Sequence, residues 1–385
     1  MSAGRGGSAR LSPSQRLDWL RLIRTENVGP RTFRVLVNQF GGAAAALEAL
    51  PSLARRGGRL MPPRSPSIAE AEDETAALER LGGRFVLMAD AAYPEALRVL
   101  DDAPPVIAVR GRDAALMAPK VAIVGARNAS AAGRTLAARF ARELANAGFV
   151  VVSGLARGVD TAAHEASLEG GTIGVLAGGL AKPYPAENIG LIERVVATGA
   201  VVSEMPLAWE ARARDFPRRN RLVSGMALGV LVVEAAERSG SLITARLAAE
   251  QGREVFAIPG SPLDPRAGGT NRLLKSGATL VTDAADVIEA LRPLLERPRF
   301  STSPFDGPEG QIEAPRAPPG ASPEPEDGVR GRILELLSPV PTTIDDLVRF
   351  AQASAAEVQV VLLELELAGR LERQNGGRVA LIRPE

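Results

Sequence analysis

The stretch VAIVGARNAS, residues 121–130, decides the fold of this chain. Four apolar residues, Val121 to Val124, indicate a buried strand, and Gly125 then begins a polar turn. A dinucleotide-binding fold would have the second glycine of its GxGxxG motif two residues after the first, but this position is Arg127. The next strand also lacks a terminal acidic residue to bind a ribose. The stretch therefore predicts a strand, a turn and a helix whose turn binds something other than NAD.

Similar apolar runs lie on both sides of this stretch and alternate with amphipathic segments of helical length. They are FVLMAD (85–90), VIAV (106–109), FVVVSG (149–154), TIGVLAGG (172–179), AVVSEMP (200–206), LGVLVVEA (228–235) and REVFAIPG (253–260). Apolar strands that alternate with helices are typical of a parallel sheet covered on both faces. We therefore predict a Rossmann-like, doubly wound α/β domain over residues 83–292.

Two smaller domains are predicted beside this one. Residues 11–82 have apolar side chains at helical spacing around NVGP (27–30), which indicates either a DNA-gripping helix-hairpin-helix unit or a plain helical accessory domain. Residues 328–385 indicate three helices and a two-stranded hairpin, which is the arrangement of a winged helix. Residues 297–327 contain eight prolines and predict a disordered linker that lets the winged helix move independently.

The composition excludes several kinds of site. The 385 residues include no cysteine and one histidine, which excludes disulfides, thiolate catalysis and zinc sites built from several Cys or His ligands. Neither a Gly-Lys pair nor a GxSxG motif occurs, so a P-loop and a nucleophile elbow are absent. We therefore predict no catalytic residues, no metal site and no cofactor. No apolar stretch of about 18 residues indicates a membrane span.

The turns that follow the predicted strands share the features of phosphate-binding sites. The 46 basic and 45 acidic side chains nearly cancel, so an anionic partner has to be bound by a local basic patch. In open α/β sheets these turns meet at one edge, where ligands bind. The candidates are Gly125, Arg127, Ser130, Ser153, Gly154, Arg157, Lys182, Arg219, Asn220, Arg221, Ser239, Gly240, Ser241 and Thr244. We predict that they form a groove for the phosphates of a polyanion, with Arg127 exposed to water as the alternative for that residue.

Aromatic side chains near these turns are either base-stacking groups or parts of the core. They are Tyr184, Trp209 and Phe216. Two further residues have structural interpretations: Asp160 as the N-cap of a helix, and His164 as a packed or hydrogen-bonded histidine. A third, Glu234, ends a strand and is either a catalytic acid or an ion-pair partner of the arginines of FPRRNR (216–221); we favour the ion pair.

The charge of the predicted winged helix argues against specific duplex recognition. From Gly328 onward the chain has seven arginines and eight acidic residues. Its presumed recognition helix, SAAEVQVVLLELELAGR (354–370), has three glutamates and no basic residue before Arg370. A helix that reads the major groove needs the opposite charge. We therefore favour a protein-contact role for this helix.

The sequence resembles the DNA-processing protein A family, called DprA or Smf. The resemblance covers about residues 85–290 and rests on these segments, in this order: AAYPEALRVLDDAPPVIAVRG, VAIVGARNAS, SGLARGVDTAAHEASL, AGGLAKPYPAEN, VVSEMP, FPRRNRLVSGMALGVLVVEA, SGSLITARLAAEQGREVFAIPG and GGTNRLLKSGA. The helical and winged-helix flanks are also similar to those of family members. The family implies an extended Rossmann-like core.

The resemblance also implies a function. Family members are cytoplasmic bacterial proteins that bind and protect single-stranded DNA, help to load the RecA recombinase in natural transformation and homologous recombination, and dimerise through the core. By position, Arg127 is the arginine of the family's Gly-x-Arg, and Ser130, Ser153 and Gly154 lie near its phosphate-binding hydroxyl and amides. Many members have a lysine within or just after the YPxxN segment. This chain has YPAENIG (184–190) there, so Lys182 is the candidate substitute.

Two other functions are alternatives. The lysine-decarboxylase-like phosphoribohydrolases resemble this core in fold but have a PGGxGTxxE signature, whereas the corresponding turn here is AIPGSPLD (257–264). A transcription regulator acting through the winged helix is disfavoured by the acidity of the presumed recognition helix. We therefore predict a single-stranded DNA-binding recombination mediator that is not an enzyme.

Overall fold

The structure is a computed structural model that describes residues 11–295, 327–374 and 376–382. These residues form two compact units, which divide near residues 72 and 304. One unit is the α/β core, and the other combines the N-terminal helices with the C-terminal region. The predicted disordered linker, 297–327, lies outside the described residues apart from its last residue.

The N-terminal segment consists of helices, as the apolar spacing predicts. They are α1 (Pro13–Arg24), α2 (Pro30–Phe40), α3 (Ala43–Arg56) and α4 (Ile68–Arg80). A capping box at Ser12 starts α1, and Pro30 occupies the first turn of α2, where its missing N–H costs no helical hydrogen bond. The rings of Trp19 and Phe33 meet edge to face at 5.0 Å, which joins α1 to α2 around the NVGP turn.

The core contains a nine-stranded sheet. Its strands are β1 (Gly83–Leu87), β2 (Val106–Gly111), β3 (Lys120–Val124), β4 (Val150–Ser153), β5 (Thr172–Val175), β6 (Ala200–Ser203), β7 (Gly229–Val232), β8 (Glu254–Ala257) and β9 (Thr279–Leu280). They lie in the order β1-β2-β6-β5-β4-β3-β7-β8-β9. The seven strands from β6 to β9 in this order are parallel, which confirms the doubly wound sheet. The chain reverses its direction of winding at β3, which lies between β4 and β7.

One edge of the sheet differs from the expected parallel arrangement. The runs FVLMAD and VIAV form β1 and β2, and each pairs antiparallel with its neighbour. An apolar run indicates burial but carries no information about strand direction, so the pattern alone does not separate the two cases. The predictions also missed β9, a two-residue edge strand.

Helices cover both faces of the sheet. They are α5 (Glu95–Arg98), α6 (Asp113–Met117), α7 (Ala131–Asn146), α8 (Val159–Ser167), α9 (Ile189–Thr198), α10 (Asp215–Met226), α11 (Ser241–Glu250), α12 (Gly268–Lys275) and α13 (Ala284–Leu295). On one face, Phe140 of α7 and Leu291 of α13 are fully buried with Ile123 of β3. On the other, Leu191 and Val195 of α9 pack with Val201 of β6. These two layers hold the ends of the strands in fixed positions.

The C-terminal region is a winged helix, as predicted. Its elements are α14 (Asp327–Leu336), β10 (Thr342–Thr343), α15 (Ile344–Ala351), α16 (Ala355–Leu367), β11 (Leu371–Gln374) and β12 (Arg378–Leu381). The three strands pair antiparallel in the order β10-β12-β11. Ser354 and Glu357 form a capping box that starts α16, the presumed recognition helix.

The winged helix is not an independent body, which corrects the expectation of independent movement. Its helix α16 packs on α3 of the N-terminal segment. The side chain of Asn27 donates to the carbonyl of Leu367 at 3.2 Å, and Arg370 donates to the carbonyl of Gly57 at 3.0 Å. The sequence predicts flexibility from the prolines before the domain, but these contacts depend on side chains far away in the chain.

Candidate nucleic-acid interface

A depression lies at the carboxyl ends of β3, β4 and β5, where the predicted turns converge. Its lining includes Arg127, Gly154, Arg157, Tyr184, Phe216 and Arg219. The first three come from the turns after β3 and β4, Tyr184 comes from the turn after β5, and the last two come from α10. Four of the fourteen predicted site residues therefore line one depression.

The turns after β3 and β4 pack directly on each other. Gly158 has φ +79°, and a Cβ at this position would lie 2.4 Å from the carbonyl oxygen of Ala126. The amide of Val159 donates to that same oxygen at 3.2 Å. A Cβ on Gly125 would meet the side chain of Val159 at 2.6 Å. The glycines therefore allow two backbones to approach closely, which places Arg127 beside the second turn.

Asp160 closes the turn after β4. Its carboxylate accepts hydrogen bonds from the amides of Gly154 at 3.1 Å and Ala156 at 3.2 Å. The predicted N-cap role is wrong, because Gly158 is the N-cap residue of α8 and Asp160 lies within its first turn. Burial raises the pKa of Asp160, while the nearby positive charge of Arg219 opposes this rise. The two hydrogen bonds hold the side chain of Asp160 within the turn, close enough to Arg219 for the two groups to influence each other's pKa.

Arg219 is a buried cation in the wall of the depression. It is 6 % exposed, its Nη1 donates to the carbonyl of Val175 at 3.3 Å, and its buried Nε has no hydrogen-bond partner among the described residues. Burial lowers the pKa of Arg219 to about 10; Asp160 opposes this shift and Arg127 adds to it. The guanidinium is therefore charged at neutral pH. Its charge is incompletely balanced by the protein, which favours an anionic ligand.

Arg127 lies over an aromatic ring at the same place. Its guanidinium carbon is 5.1 Å from the centre of the Phe216 ring, which also lies 6.0 Å from Arg219. Tyr184 meets Phe216 edge to face at 5.9 Å and is 56 % exposed. Within the described residues, no carboxylate forms an ion pair with Arg127. The depression thus combines two arginines with an exposed aromatic ring, which suits a phosphate with an adjacent base.

The FPRRNR segment divides its arginines between two sides of α10. Arg218 and Arg221 are three residues apart and share one side of the helix, where both bind the buried carboxylate of Glu204. Arg219 lies on another side and faces the depression. The predicted ion pair between Glu234 and these arginines is wrong. Glu234 instead accepts hydrogen bonds from the amide and the hydroxyl of Ser130.

Three family models match the chain along its length. DNA recombination-mediator protein A matches residues 84–292, the DprA-like N-terminal HHH domain matches 13–77, and the DprA winged helix domain matches 317–377. The first of these covers more than half of the chain. The chain belongs to the DprA family.

Relatives of known name agree with this membership. Protein Smf of Escherichia coli is 41 % identical over 295 residues, which are 76 % of this chain and 75 % of that protein. DNA processing protein DprA of Bacillus subtilis is 42 % identical over 234 residues, 60 % of this chain and 77 % of that protein. The X-ray structure of DNA processing protein A from Streptococcus pneumoniae is 32 % identical with a TM-score of 0.60, over 72 % of this chain and 98 % of that chain. The names of these relatives state no catalytic activity.

Several of the residues predicted to form the phosphate groove are engaged inside the protein. The Ser130 hydroxyl accepts the amide of Gly133 at 2.9 Å as the N-cap of α7. Ser153 is fully buried and its hydroxyl donates to the carbonyl of Ile123 at 2.6 Å. Arg221 is nearly buried and donates to the carbonyl of Asp102 at 2.6 Å. These side chains shape the turns, and a DNA contact from them remains a prediction.

Two exposed cations border acidic side chains. Arg157 lies 3.4 Å from a carboxylate oxygen of Glu187, and Lys182 lies 3.4 Å from one of Glu210. Both pairs are largely exposed, and such pairs contribute only about 0–1 kcal/mol. These two ion pairs therefore stabilise the protein only weakly. Arg157 lines the depression, whereas Lys182, the candidate substitute for the family lysine, borders the same turn as Tyr184.

The residues predicted after β7 form a separate group at the start of α11. The hydroxyls of Ser239 and Ser241 lie 2.7 Å apart, and Thr244 is buried. The side chain of Asn220 reaches the carbonyl of Gly240 at 3.4 Å, which links α10 to this turn. These five residues do not line the depression that holds Arg127.

His164 has the structural role predicted for it. It is fully buried, and its Nδ1 lies 2.8 Å from the hydroxyl oxygen of Thr172. Burial lowers the pKa of His164 to about 3, with a further contribution from the charge of Arg219. The imidazole is therefore neutral beneath the depression.

Sequence reasoning missed some residues that shape the site. Ala156, Ala177 and Pro185 line the depression, and Glu204 fixes two arginines behind it. Glu204 follows β6 directly, so the expectation that residues at the carboxyl ends of strands form the site also applied to it.

Over the described ranges, no group of three or more His, Cys, Asp and Glu residues is placed to hold a metal ion. In the same ranges, no helix has the length and apolar character needed to cross a membrane.

Proposed function

We propose that this chain binds single-stranded DNA at the depression between the turns after β3, β4 and β5, and acts as a recombination mediator without catalytic activity. The observation that carries this proposal is the pairing of a buried, incompletely balanced Arg219 with Arg127 around the Phe216 ring. Cations that bind backbone phosphates beside rings that stack bases are typical of single-strand binding without sequence preference. Membership of the DprA family supports the same proposal.

We propose different roles for the fourteen predicted residues. We propose that Arg127, Arg157 and Arg219 contact phosphates, that the backbone at Gly154 lets DNA approach closely, and that Tyr184 stacks on a base. Lys182 extends the basic path by one turn. The remaining nine hold the turns in place, either directly or through their contacts with α7, α10 and α11.

The wider role is also a proposal. We propose that the chain protects single-stranded DNA and helps to load a RecA-type recombinase during DNA uptake, natural transformation and homologous recombination in the cytoplasm. Homodimerisation through the Rossmann-like core would place two depressions on one strand. The division into domains at 11–82, 83–292, 297–327 and 328–385 stays part of this proposal.

The test is fluorescence anisotropy with a labelled oligo-dT strand and its duplex across a salt series. Wild type is expected to prefer the single strand. The Arg127→Ala variant is expected to bind it more weakly, with a salt slope about 0.7 smaller, because one phosphate contact releases that many counterions. The matched control is Arg194→Ala, which removes another exposed arginine; it lies on α9, pairs with Glu165 and does not line the depression.

The outcomes are distinct. A wild-type protein that ignores single strands, or an Arg127→Ala variant with wild-type affinity and slope, would reject the proposed site. Equal losses in Arg127→Ala and Arg194→Ala would show a diffuse effect of net charge and no specific depression.

A further inference from the structure

The presumed recognition helix α16 is buried on two sides. In a winged helix or a related DNA-binding fold, this helix buries one side in its own domain and leaves the other exposed for the groove. Here Val358, Val361, Leu362 and Leu365 belong to the core of the winged helix. A second set with the spacing i, i+3, i+4 and i+7 is also buried, namely Val360, Leu363, Glu364 and Leu367. This second set lies outside the winged-helix core.

The N-terminal helical domain, at the end of α3, approaches α16 closely enough for its backbone to touch it. A Cβ on Gly57 would lie 2.0 Å from the carbonyl oxygen of Glu364. Such an approach is possible only where a residue has no side chain, so the end of α3 is shaped to fit α16. The hydrogen bonds from Asn27 and Arg370 lie at the C-terminal end of the same helix.

Glu364 joins the two domains through charge. Its side chain is 2 % exposed, and it accepts Arg56 Nε at 2.7 Å and Arg330 Nη2 at 2.8 Å. Arg56 belongs to α3 and Arg330 to α14, so one carboxylate binds a cation from each domain. A buried carboxylate is tolerated only when it is paired, and loss of one partner is costly. Glu364 therefore ties the burial of α16 to the presence of α3.

We infer that the winged helix uses the outer side of α16 to bind the N-terminal helical domain of its own chain, and not a DNA duplex. This side presents two leucines, a valine and a carboxylate, and the charged residues of α16 are Glu357, Glu364 and Glu366. Helix α16 has no lysine or arginine to bind the phosphates of a duplex. An apolar helix that ends in an arginine matches it in both shape and charge. This inference does not depend on single-stranded DNA binding by the core.

To test this inference, the full chain is folded and then cleaved by a protease. A protease site is inserted between residues 305 and 315, and the cut protein is passed through a size-exclusion column at micromolar concentration. We expect the fragment that contains α14 to α16 to elute with the rest of the protein. Separation of the two wild-type fragments would overturn the inference.

Two variants probe the contact from its two sides. Leu363→Glu places a charge in the buried side of α16, and Arg56→Glu places a like charge against Glu364 without altering the winged helix. Each is expected to weaken the association by about thirtyfold or more, as at the centre of a protein interface. The control is Arg349→Glu, which changes an arginine whose side chain is 70 % exposed on α15. Its fragment is expected to elute with the rest.

Release by Leu363→Glu alone would indicate misfolding of the winged helix and would also reject the inference. Duplex binding is tested separately on the uncut chain with Leu363→Gln, which adds no charge. We expect its affinity for duplex DNA to match that of wild type. A rise of about tenfold would show that α16 reads DNA once uncovered, and would overturn the inference.

Discussion

Two arginines lie close together at two places in this molecule, and only one of the two places includes a carboxylate that pairs with both. Around Glu364, Arg56 and Arg330 meet a buried carboxylate, and the charges are satisfied within the protein. In the depression of the core, Arg127 and Arg219 meet an aromatic ring, and the nearest compensation for Arg219 is Asp160 beneath it. The difference separates an arginine that builds the structure from one that is available to a ligand. What matters is whether a carboxylate contacts the guanidinium, and not how many arginines a segment contains.

The strongest test of this comparison is within FPRRNR itself. Glu204→Gln removes the carboxylate that binds Arg218 and Arg221 while keeping its shape. Because Arg221 would be left nearly buried without its anion, we expect a loss of about 3–5 kcal/mol in the free energy of unfolding. Denaturant unfolding measures this. The control Glu210→Gln alters an exposed carboxylate and is expected to change stability by less than about 0.5 kcal/mol.

If Glu204→Gln were as stable as wild type but bound DNA less well, the comparison would fail, because Arg221 would then be a ligand contact. Affinity of the folded fraction for oligo-dT is expected to stay near the wild-type value.

A second test uses the neutral histidine beneath the depression. The pKa of His164 is about 3 in the folded protein and 6.5 without burial, so the unfolded chain takes up a proton first as pH falls. Stability from this group is complete above pH 6.5 and is lost as pH falls toward 3, with about 2 kcal/mol lost between pH 7 and pH 5. His164→Asn should flatten the pH dependence in this window. An unchanged slope in the variant would show that His164 is not kept neutral by its surroundings.

A third test displaces the side chain of Arg219 by a substitution at a neighbouring residue, while Arg219 itself is kept. A Cβ on Gly154 would lie 1.4 Å from Nη1 of Arg219, so Gly154→Ala must displace the guanidinium. We expect a loss of about tenfold in affinity for oligo-dT, which is the size of one charge-assisted hydrogen bond. The control is Gly190→Ala in α9, where a Cβ meets nothing within 4 Å. Wild-type affinity in Gly154→Ala would exclude Arg219 from the site.

The smallest effect is expected at Lys182. Its ammonium group already lies near Glu210, and both side chains are mostly exposed. Lys182→Ala is expected to weaken binding of oligo-dT by less than about fivefold, since an exposed pair is worth at most about 1 kcal/mol. Titration at low salt measures the change. A loss as large as that in Arg127→Ala would place Lys182 among the principal contacts.

The sequence predicts the parallel strands of the sheet and the position of the candidate site. It does not predict which acidic side chain pairs with which arginine. The apolar run before Gly125 and the glycines of the next turn predict β3, β4 and their meeting point. Glu204 and Glu234 both follow apolar strands, and the sequence does not show which of them faces α10. The sequence also does not show that β1 and β2 run antiparallel to their neighbours, because an apolar run indicates burial and not strand direction. Such choices depend on packing between segments far apart in the chain.

The contact between α3 and α16 has a topological consequence. Because the two terminal regions hold each other, the polypeptide is a ring closed by packing, and the core is an insert within it. Ring closure depends weakly on contour length, and doubling a flexible segment costs only about 0.6 kcal/mol. We therefore expect that lengthening the segment of 31 residues between α13 and α14 would leave the contact between α3 and α16 intact. Circular permutants with new ends in this segment should keep their fold.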